Sequence, residues 1–230
     1  KDAEEDATGT ISDPLGEFAW YFHLRTVDNA GNWTSTVHVG PFIIDATGPI
    51  LSEVTPVSTP TNNPTPDYTF NSDEDGDISY VGSCSSVTSS AVAGGNTITF
   101  DFLSDGTYSD CTITVTDSAG NPSDPLSVNT FTVDTQAPVS SFSSPENGTF
   151  WKGPIDISGS STDIPDTTVD YVTLYYWDDD EGEWIEITQL SNDGLNEPFY
   201  WDYEWEPENE GVYDIMAEAT DTAGNTESSP

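Results

Sequence analysis

The feature of this sequence that most constrains its fold is a five-residue phrase, Asp-x-Ala-Gly-Asn, which occurs at residues 28–32, 117–121 and 221–225. A second phrase begins at Asp45 and again at Asp134. It follows the first at the same offset both times, since 45 − 28 and 134 − 117 both equal 17. Its two copies lie 134 − 45 = 89 residues apart. The chain is therefore predicted to be an array of repeated units.

The five-residue phrase is typical of a tight turn between two β-strands. Gly accepts the positive φ that such a turn requires, and Asp and Asn form hydrogen bonds with the nearby backbone. Around the first copy, residues 16–27 and 34–44 alternate apolar and polar side chains, which indicates two half-buried strands. A hairpin centred on this turn would place His23 opposite His38. Two histidines without a third ligand rarely bind zinc, so we expect an ordinary cross-strand pair.

The rest of the chain consists of many short strand patterns without helical periodicity, which favours β-sandwiches. In the middle repeat the predicted strands are 50–54, 67–72, 76–83, 97–103, 107–116 and 126–134, with a turn at 94–96. In the last repeat they are 154–158, 169–177, 184–189, 199–205 and 211–220. We predict an all-β fold of tandem sandwich domains in a linear array.

Several stretches resemble one family of repeats. Residues 106–121, 131–138 and 213–225 resemble the last two strands and the linker of bacterial and archaeal Ig-like domains, and residues 20–42 are similar to another version of the same element. These domains occur in tandem in large adhesins, S-layer proteins and secreted enzymes. The resemblance implies tandem Ig-like β-sandwich domains of a cell-surface protein. It indicates little about activity, because such modules serve as spacers in unrelated proteins.

The repeat predicts the domain boundaries. Residues 1–48 are the C-terminal part of a first Ig-like domain, 49–137 are a complete domain, and 138–230 are a third domain without its last strand. We call these the first, middle and third units. The offset of 17 would end the last strand of the third unit near residue 238, since 221 + 17 = 238. We expect that the native polypeptide continues past both ends, or that neighbouring copies cover the open edges by strand addition.

The charge of the chain restricts its surroundings. It has 42 acidic and 3 basic residues and a formal charge of −39, so self-repulsion opposes a compact state. Concentrated salt or bound divalent cations would relieve this repulsion, which predicts an extracellular location in a saline or calcium-containing medium, or a halophilic source. Nucleic acid is excluded as a partner, because a polyanion would be repelled. The sequence contains no apolar run of the roughly 20 residues that span a bilayer.

The linkers supply the strongest candidate metal ligands. In an Ig-like sandwich, the turn between the last two strands lies at the end where the preceding domain arrives, so each linker Asp should approach the next turn. Oxygen ligands from two domains suit Ca²⁺, which takes six to eight of them. The alternative is that these side chains only satisfy turn amides and cap strand ends. The candidate ligands are Asp45, Asp117 and Asn121 at the first junction, and Asp134, Asp221 and Asn225 at the second.

Two other acidic segments are candidate cation sites. Residues 71–77 imitate the start of a calcium-binding loop, with Asp73 and Asp75 as ligands, but Gly82 stands where the loop needs Glu. Residues 178–183 are a hairpin turn crowded with carboxylates. An ordinary acidic turn is the alternative at both places.

Cys84 and Cys111 are the only cysteines and lie in the same repeat. In an exported domain two such cysteines favour a disulfide over free buried thiols. Asn32 and Asn147 match the pattern for N-glycosylation, although chance matches to it are frequent.

One predicted strand, 169–177, has aromatic residues on both faces. Tyr171, Tyr175 and Trp177 share a face that would be available for sugar stacking or for a neighbouring protein. The alternative is that this face is covered, or that its aromatic residues are scattered without a role.

No catalytic pattern stands out. The sequence lacks the spacing of a Ser-His-Asp triad, a nucleophile elbow, a phosphate loop and a metalloprotease helix. We therefore predict a non-enzymatic structural segment of a surface layer, sheath, filament or adhesin stalk. The expected partners are neighbouring domains, copies of the chain, and a cell-surface or polysaccharide contact. The alternative is an accessory or carbohydrate-binding region of a secreted hydrolase.

The charge imbalance generates a first prediction. The thermal midpoint should rise between low and molar NaCl, because salt shortens the Debye length to roughly 3 Å at 1 M and screens the repulsion. Circular dichroism would follow the transition, with sucrose of equal osmolality as the control. A flat or falling midpoint would contradict the prediction.

Overall fold

The computed structural model describes residues 18–164, 167–194 and 196–228, with only the backbone for 18–24 and 38–43. Every regular element in this part of the chain is a β-strand. In the first unit, β1 (Phe18–Leu24) pairs antiparallel with β2 (Val37–Ile44). Their register places His23 opposite His38, as the hairpin pattern predicts.

The middle unit has two principal sheets. Its strands are β3 (Leu51–Thr55), β4 (Asp67–Ser72), β5 (Gly76–Val81), β6 (Ser90–Ala91), β7 (Gly94–Thr99), β8 (Gly106–Tyr108), β9 (Thr112–Thr116), β10 (Leu126–Ser127) and β11 (Phe131–Val133). One sheet has the order β3-β4-β7 and the other β10-β9-β5-β6, while β11 pairs with β8. This order corresponds to strands A-B-E against G-F-C-C′ of the immunoglobulin sandwich.

Aromatic and aliphatic side chains fill the space between the two sheets of the middle unit. Alternation along β9 turns Ile113 and Val115 inward, where they are buried. Tyr68, Phe100 and Phe131 form a column of stacked rings, with centroids about 6 Å apart. The core therefore receives side chains from both sheets, as a sandwich requires.

A disulfide joins Cys84 to Cys111, with Cα atoms 5.4 Å apart. Cys84 follows β5 and Cys111 precedes β9, and these two strands pair directly, with Val81 opposite Thr112. Both cysteines are buried at the edge of the core. The disulfide predicted from the sequence is confirmed.

The third unit has the same arrangement. Its strands are β12 (Val139–Ser144), β13 (Ile155–Thr162), β14 (Val169–Asp178), β15 (Glu183–Ser191), β16 (Phe199–Trp205) and β17 (Ile215–Asp221). The sheets β12-β13-β16 and β15-β14-β17 correspond to A-B-E and C′-C-F. Trp201 is the largest buried side chain of this core and donates to Ser161 Oγ at 3.0 Å. Gly159 is required beside it, because a Cβ there would lie 2.4 Å from the indole ring.

The strand predictions were wrong in several places. Predicted strand 107–116 is divided into β8 and β9, and predicted strand 126–134 is divided into β10 and β11. The predicted turn at 94–96 is the start of β7, and the short β6 was not predicted. β12 was not predicted because its sequence is rich in serine. Its hydroxyls pair with serines of β13, including Ser140 with Ser161 at 2.7 Å, so hydrogen bonds replace the apolar alternation that marks other strands.

The disulfide generates a second prediction. Replacing Cys84 and Cys111 together by Ser should lower the free energy of unfolding by about 3 kcal/mol, because the closed loop restricts the unfolded chain. Urea unfolding monitored by fluorescence would measure the change. Reductant should destabilise the wild type and leave the double variant unaffected. Equal stability of the wild type with and without reductant would contradict the prediction.

Candidate metal centres at the unit junctions

Each Asp-x-Ala-Gly-Asn turn is held by its own Asp. Asp117 Oδ1 accepts the backbone N–H groups of Ala119 and Asn121 at 2.8 and 2.9 Å, and its Oδ2 accepts Asn121 Nδ2 at 2.9 Å. Gly120 has a φ of 95°. The turns at Asp28 and Asp221 repeat the side-chain clamp of Asp on Asn. The turn-satisfying role that the sequence offers as an alternative to calcium is therefore present in all three copies.

Hydrogen bonds lower the pKa of two of these carboxyl groups. The side-chain amide of Asn32, with backbone N–H groups of the turn, holds the pKa of Asp28 below its ordinary value. Burial raises the pKa of Asp117, but the hydrogen bonds from Asn121 and the turn backbone outweigh it, and the net shift is downward. Both groups are therefore carboxylates at neutral pH.

The same Asn side chain also binds the preceding linker. Asn121 Nδ2 donates to the backbone oxygen of Asp45 at 3.3 Å, and Asn225 Nδ2 donates to that of Asp134 at 2.8 Å. The linker lies close to the turn at the first junction, where a Cβ on Gly48 would be 2.2 Å from the backbone oxygen of Pro122. The sequence pairing of linker Asp and turn Asn is thus a direct contact at both junctions.

Three carboxylates meet at the first junction, in a group we call centre one. The oxygens of Asp45, Glu74 and Asp117 lie within 4.8 Å of one another. Asp45 and Glu74 are half-buried and Asp117 is buried. Glu74 comes from the 71–77 loop, but Asp73 and Asp75 of that loop do not join the group. Their carboxylates instead accept backbone N–H groups of Ile50 and Ala93, at 2.6 and 2.7 Å.

Centre two lies at the second junction and is more deeply buried. The carboxylate oxygens of Asp134, Asp163 and Asp221 lie within 4.8 Å of one another. These residues are only 2, 3 and 2% exposed. Thr167 Oγ1 contacts both Asp134 Oδ2 and Asp163 Oδ2, but a hydroxyl has one hydrogen and can donate it to only one of them.

The environment of Asp163 disfavours its charge. Burial raises the pKa of Asp163 to about 6; the hydroxyl of Thr167 opposes this effect, and the charges of Asp134, Asp221 and Glu197 add to it. Glu197 is held nearby because its carboxylate accepts the backbone N–H groups of Asp163 and Val169 at 3.1 and 2.7 Å. Buried like charges are costly unless a cation compensates them. Carboxylate and carbonyl oxygens are the ligands that hard divalent cations prefer, so both centres could bind a metal.

The two centres share one plan. Each combines an Asp from the linker, an Asp from the turn that follows strand F, and an acid from the loop between strands B and C. The last of these is Glu74 after β4 and Asp163 after β13. Neither acid was predicted. The sequence did contain a signal for them, because each lies 29 residues after its linker Asp (74 − 45 and 163 − 134).

The remaining predicted residues lie elsewhere. Asn32 and Asn147 are exposed, and Asn32 Nδ2 donates to Asp28 Oδ2 at 2.9 Å, so glycosylation at these residues stays a prediction. In the 178–183 turn, Asp178 Oδ1 accepts backbone N–H groups of residues 180 and 181, as in an ordinary Asx turn. Tyr171, Tyr175 and Trp177 are half-buried side chains of β14.

Comparisons with known proteins give little further information. No family model matches this sequence, and no curated protein matches it. Among solved structures, the chain is similar to the FN1–FN3 domains of chicken CNTN1, at 15% sequence identity and a TM-score of 0.32. The match covers 90% of this chain and 76% of that chain. The Ig-like assignment therefore rests on the strand order of the two sandwiches.

The pKa of Asp163 generates a third prediction. Its folded value of about 6 lies above its ordinary 3.8, so the folded state retains a proton that the unfolded state releases. With chelator present, this group should therefore stabilise the fold below pH 4, and its contribution should be lost as the pH rises to 6. Asp163→Asn should match the wild type at pH 4 and be more stable by about 1 to 3 kcal/mol at pH 7.5.

Chemical unfolding monitored by tryptophan fluorescence would measure this difference between variant and wild type. Asp193→Asn removes an exposed carboxylate of the same unit and is the matched control. A gap between Asp163→Asn and the wild type that does not change with pH would contradict the prediction.

Proposed function

We propose that this chain is a non-enzymatic structural segment of a large extracellular or cell-surface protein, in which calcium fixes successive Ig-like units in a stiff array. The observation that carries the proposal is the repetition of one junction, in which a turn Asn binds the linker backbone beside three gathered carboxylates. An array built from repeated docked units spans distance, as a stalk, sheath, filament or surface layer requires.

Contacts of the second linker with both of its neighbours support a fixed joint. The backbone N–H of Asp134 donates to Thr61 of the middle unit at 2.9 Å, and its backbone oxygen accepts Asn225 of the third unit. Asp105 accepts both N–H and Oγ1 of Thr135 at 3.0 and 2.9 Å, so the residue after Asp134 is tied to the middle unit too. Only residues 134–138 separate β11 from β12. A short linker bound on both sides leaves little freedom between the units.

The chemistry of the centres supports calcium over magnesium. Each centre offers three carboxylates with a linker carbonyl nearby, and Ca²⁺ accepts six to eight oxygens in irregular geometry. Mg²⁺ requires a nearly regular octahedron and retains several waters, which a centre as buried as Asp134, Asp163 and Asp221 would have to admit. Calcium at both junctions would also reduce the repulsion within a chain of formal charge −39.

The disulfide and the fold support the proposed location. Disulfides persist in oxidising compartments, and the Cys84–Cys111 bond fits an extracellular protein. Ig-like sandwiches fit structural or adhesive roles outside the cell. No helix in the described ranges is long and apolar enough to cross a membrane. Adjacent Ig-like units, or copies of this chain, are the proposed partners, and a saline medium would supply the screening that its charge requires.

Calorimetric titration tests the proposal. After chelation and dialysis, the whole chain should bind Ca²⁺ at up to two sites and prefer it to Mg²⁺. Asp134→Ala removes one carboxylate of centre two and should abolish that site, while centre one is retained. Small-angle scattering should show a narrower distribution of maximum dimensions with Ca²⁺ than with chelator, because docked units vary less in orientation.

The matched control for this experiment is Asp193→Asn, which removes an exposed carboxylate outside both centres. It should bind Ca²⁺ as the wild type does. Absence of binding at both junctions would refute the calcium joint and leave only the turn-satisfying role of these side chains. Binding that Asp134→Ala and Asp193→Asn weaken equally would indicate diffuse attraction to an acidic surface.

A further inference from the structure

A second surface of the third unit has features that its fold does not explain. Four aromatic residues lie on the outer side of the sheet β15-β14-β17, away from the core cluster, and all four are half-buried. They are Tyr171, Tyr175 and Trp177 of β14 and Trp184 of β15, which we call the aromatic face. The opposite side of β14 supplies Val172 and Leu174 to the core.

Contacts between neighbouring strands hold the aromatic face in order. Trp177 lies opposite Trp184, with ring centroids 5.5 Å apart and an edge-to-face angle of 69°. Tyr175 lies between Glu186 of β15 and Met216 of β17. Met216 is only 7% exposed although it is outside the core cluster, so side chains on the outer side cover it. The aromatic face is therefore a packed layer, in which rings are next to carboxylates.

The middle unit provides an internal comparison. The corresponding outer side of its β5 and β9 presents short polar side chains, with Ser79 opposite Thr114 and Asp77 opposite Thr116. These strands form the same sheet of the same fold, and the described residues at those positions include no aromatic ring. An Ig-like sheet thus folds without rings on this side. The rings of the third unit are a property of this unit rather than a requirement of the sandwich.

The carboxylates on this face favour a ligand with positive charge. Glu186 lies directly across from Tyr175, and Glu218 lies opposite the adjacent outward residue Thr173. Burial and the charge of Glu218, followed by that of Glu186, raise the pKa of Tyr175, so both carboxylates are close enough to act on its hydroxyl. Electron-rich ring faces beside carboxylates attract ammonium and guanidinium groups, through cation–π and Coulomb attraction together.

The chain itself supplies almost no such group. Of its three basic residues, Arg25 stacks over Trp33 at 4.2 Å, and Lys152 is in the loop between β12 and β13. Lys1 lies outside the described residues. Cationic groups that bind this face must therefore come from outside these 230 residues.

We propose that the aromatic face is a docking surface for a cationic segment of a partner protein, whose Arg or Lys side chains contact Tyr175 and Trp184 and pair with Glu186 and Glu218. Charge complementarity favours this partner over a neutral polysaccharide, which the same rings could stack against but which gains nothing from the carboxylates' charge. The proposal does not depend on the junction centres. Centre one belongs to the first junction, and centre two lies at the Val169 end of β14, whereas Tyr175 and Trp177 lie toward its Asp178 end.

An oligo-arginine peptide tests the proposal on the whole chain, in buffer with Ca²⁺ and about 0.15 M NaCl. A chain of charge −39 attracts any polycation, so the informative variants keep every charge. Tyr175→Leu and Trp184→Leu should each weaken binding about tenfold, because the ring contact is lost while the carboxylates remain. Glu186→Gln should weaken it by a similar factor. Titration with fluorescence or calorimetric detection would give the dissociation constants.

Tyr200→Leu is the matched control, because Tyr200 is an exposed ring beside acidic residues on the opposite sheet. It should bind the peptide as the wild type does. Thermal midpoints would verify that each variant is folded, and Trp184→Leu serves if Tyr175→Leu uncovers Met216 and unfolds. Peptide affinity that is unchanged by both ring replacements would overturn the proposal. So would binding of a neutral polysaccharide such as mannan that these replacements abolish, because the face would then be a carbohydrate site.

Discussion

The order of this array depends on a single side-chain amide at each junction. The Asn that ends the Asp-x-Ala-Gly-Asn turn uses its Nδ2 twice, once to close its own turn and once to hold the backbone of the preceding linker. Because the same atom performs both tasks, the conformation of the turn and the position of the neighbouring unit are coupled. The linker Asp and the turn Asp of each centre are held close together by this contact. The chain thus uses one short phrase both to fold a unit and to attach it.

The coupling has an electrostatic cost, which is concentrated at the joints. Docking brings a linker Asp to a turn Asp and adds a third acid from the loop between strands B and C. In a chain so rich in carboxylates, a surface position would have avoided this repulsion. Burial instead removes water as a source of compensation. At centre two, Asp134 and Asp163 share the single hydrogen of the Thr167 hydroxyl, while Asp221 accepts hydrogen bonds from Asn225. Such a site is poorly arranged for stability in the absence of cations, which is the physical reason for assigning it a cation.

The two-residue alternation predicted the strands that have one buried face. Strands β4 and β9 were found this way, because Tyr68 and Phe70, or Ile113 and Val115, alternate with polar neighbours. This alternation is absent from β12, where Ser–Ser hydrogen bonds replace apolar burial. It is also absent at Gly94, the first residue of β7, where a φ of 114° and a following Gly are features typical of a turn. Alternation of apolar and polar residues indicates which side chains are buried. It therefore does not identify a strand that is held by hydrogen bonds between serines or that begins with two glycines.

The candidate centres were also predicted only in part from the sequence. Asp45 with Asp117 and Asp134 with Asp221 could be paired from the repeat alone, since their offsets agree. Glu74 and Asp163 also share an offset, since 74 − 45 and 163 − 134 both equal 29, but one is Glu and the other Asp, so they are not part of a repeated phrase. The course of strand B brings each of them to its junction. The acidic loop at 71–77 predicted Asp73 and Asp75 as metal ligands, but their carboxylates accept hydrogen bonds from backbone N–H groups. Within such a loop, the side chain that points to the joint depends on the packing of two units.

The unequal burial of the two centres gives the joints different access to the medium. Asp45 and Glu74 remain partly open to water, while all three acids of centre two are enclosed. If both centres bind calcium as proposed, an ion at the first joint would lie beside partly exposed carboxylates, whereas an ion at the second would be enclosed by protein and would exchange more slowly. The first joint would follow the composition of the surroundings from moment to moment. The second would keep the cation content that it had when the middle and third units docked, whatever the later composition of the medium.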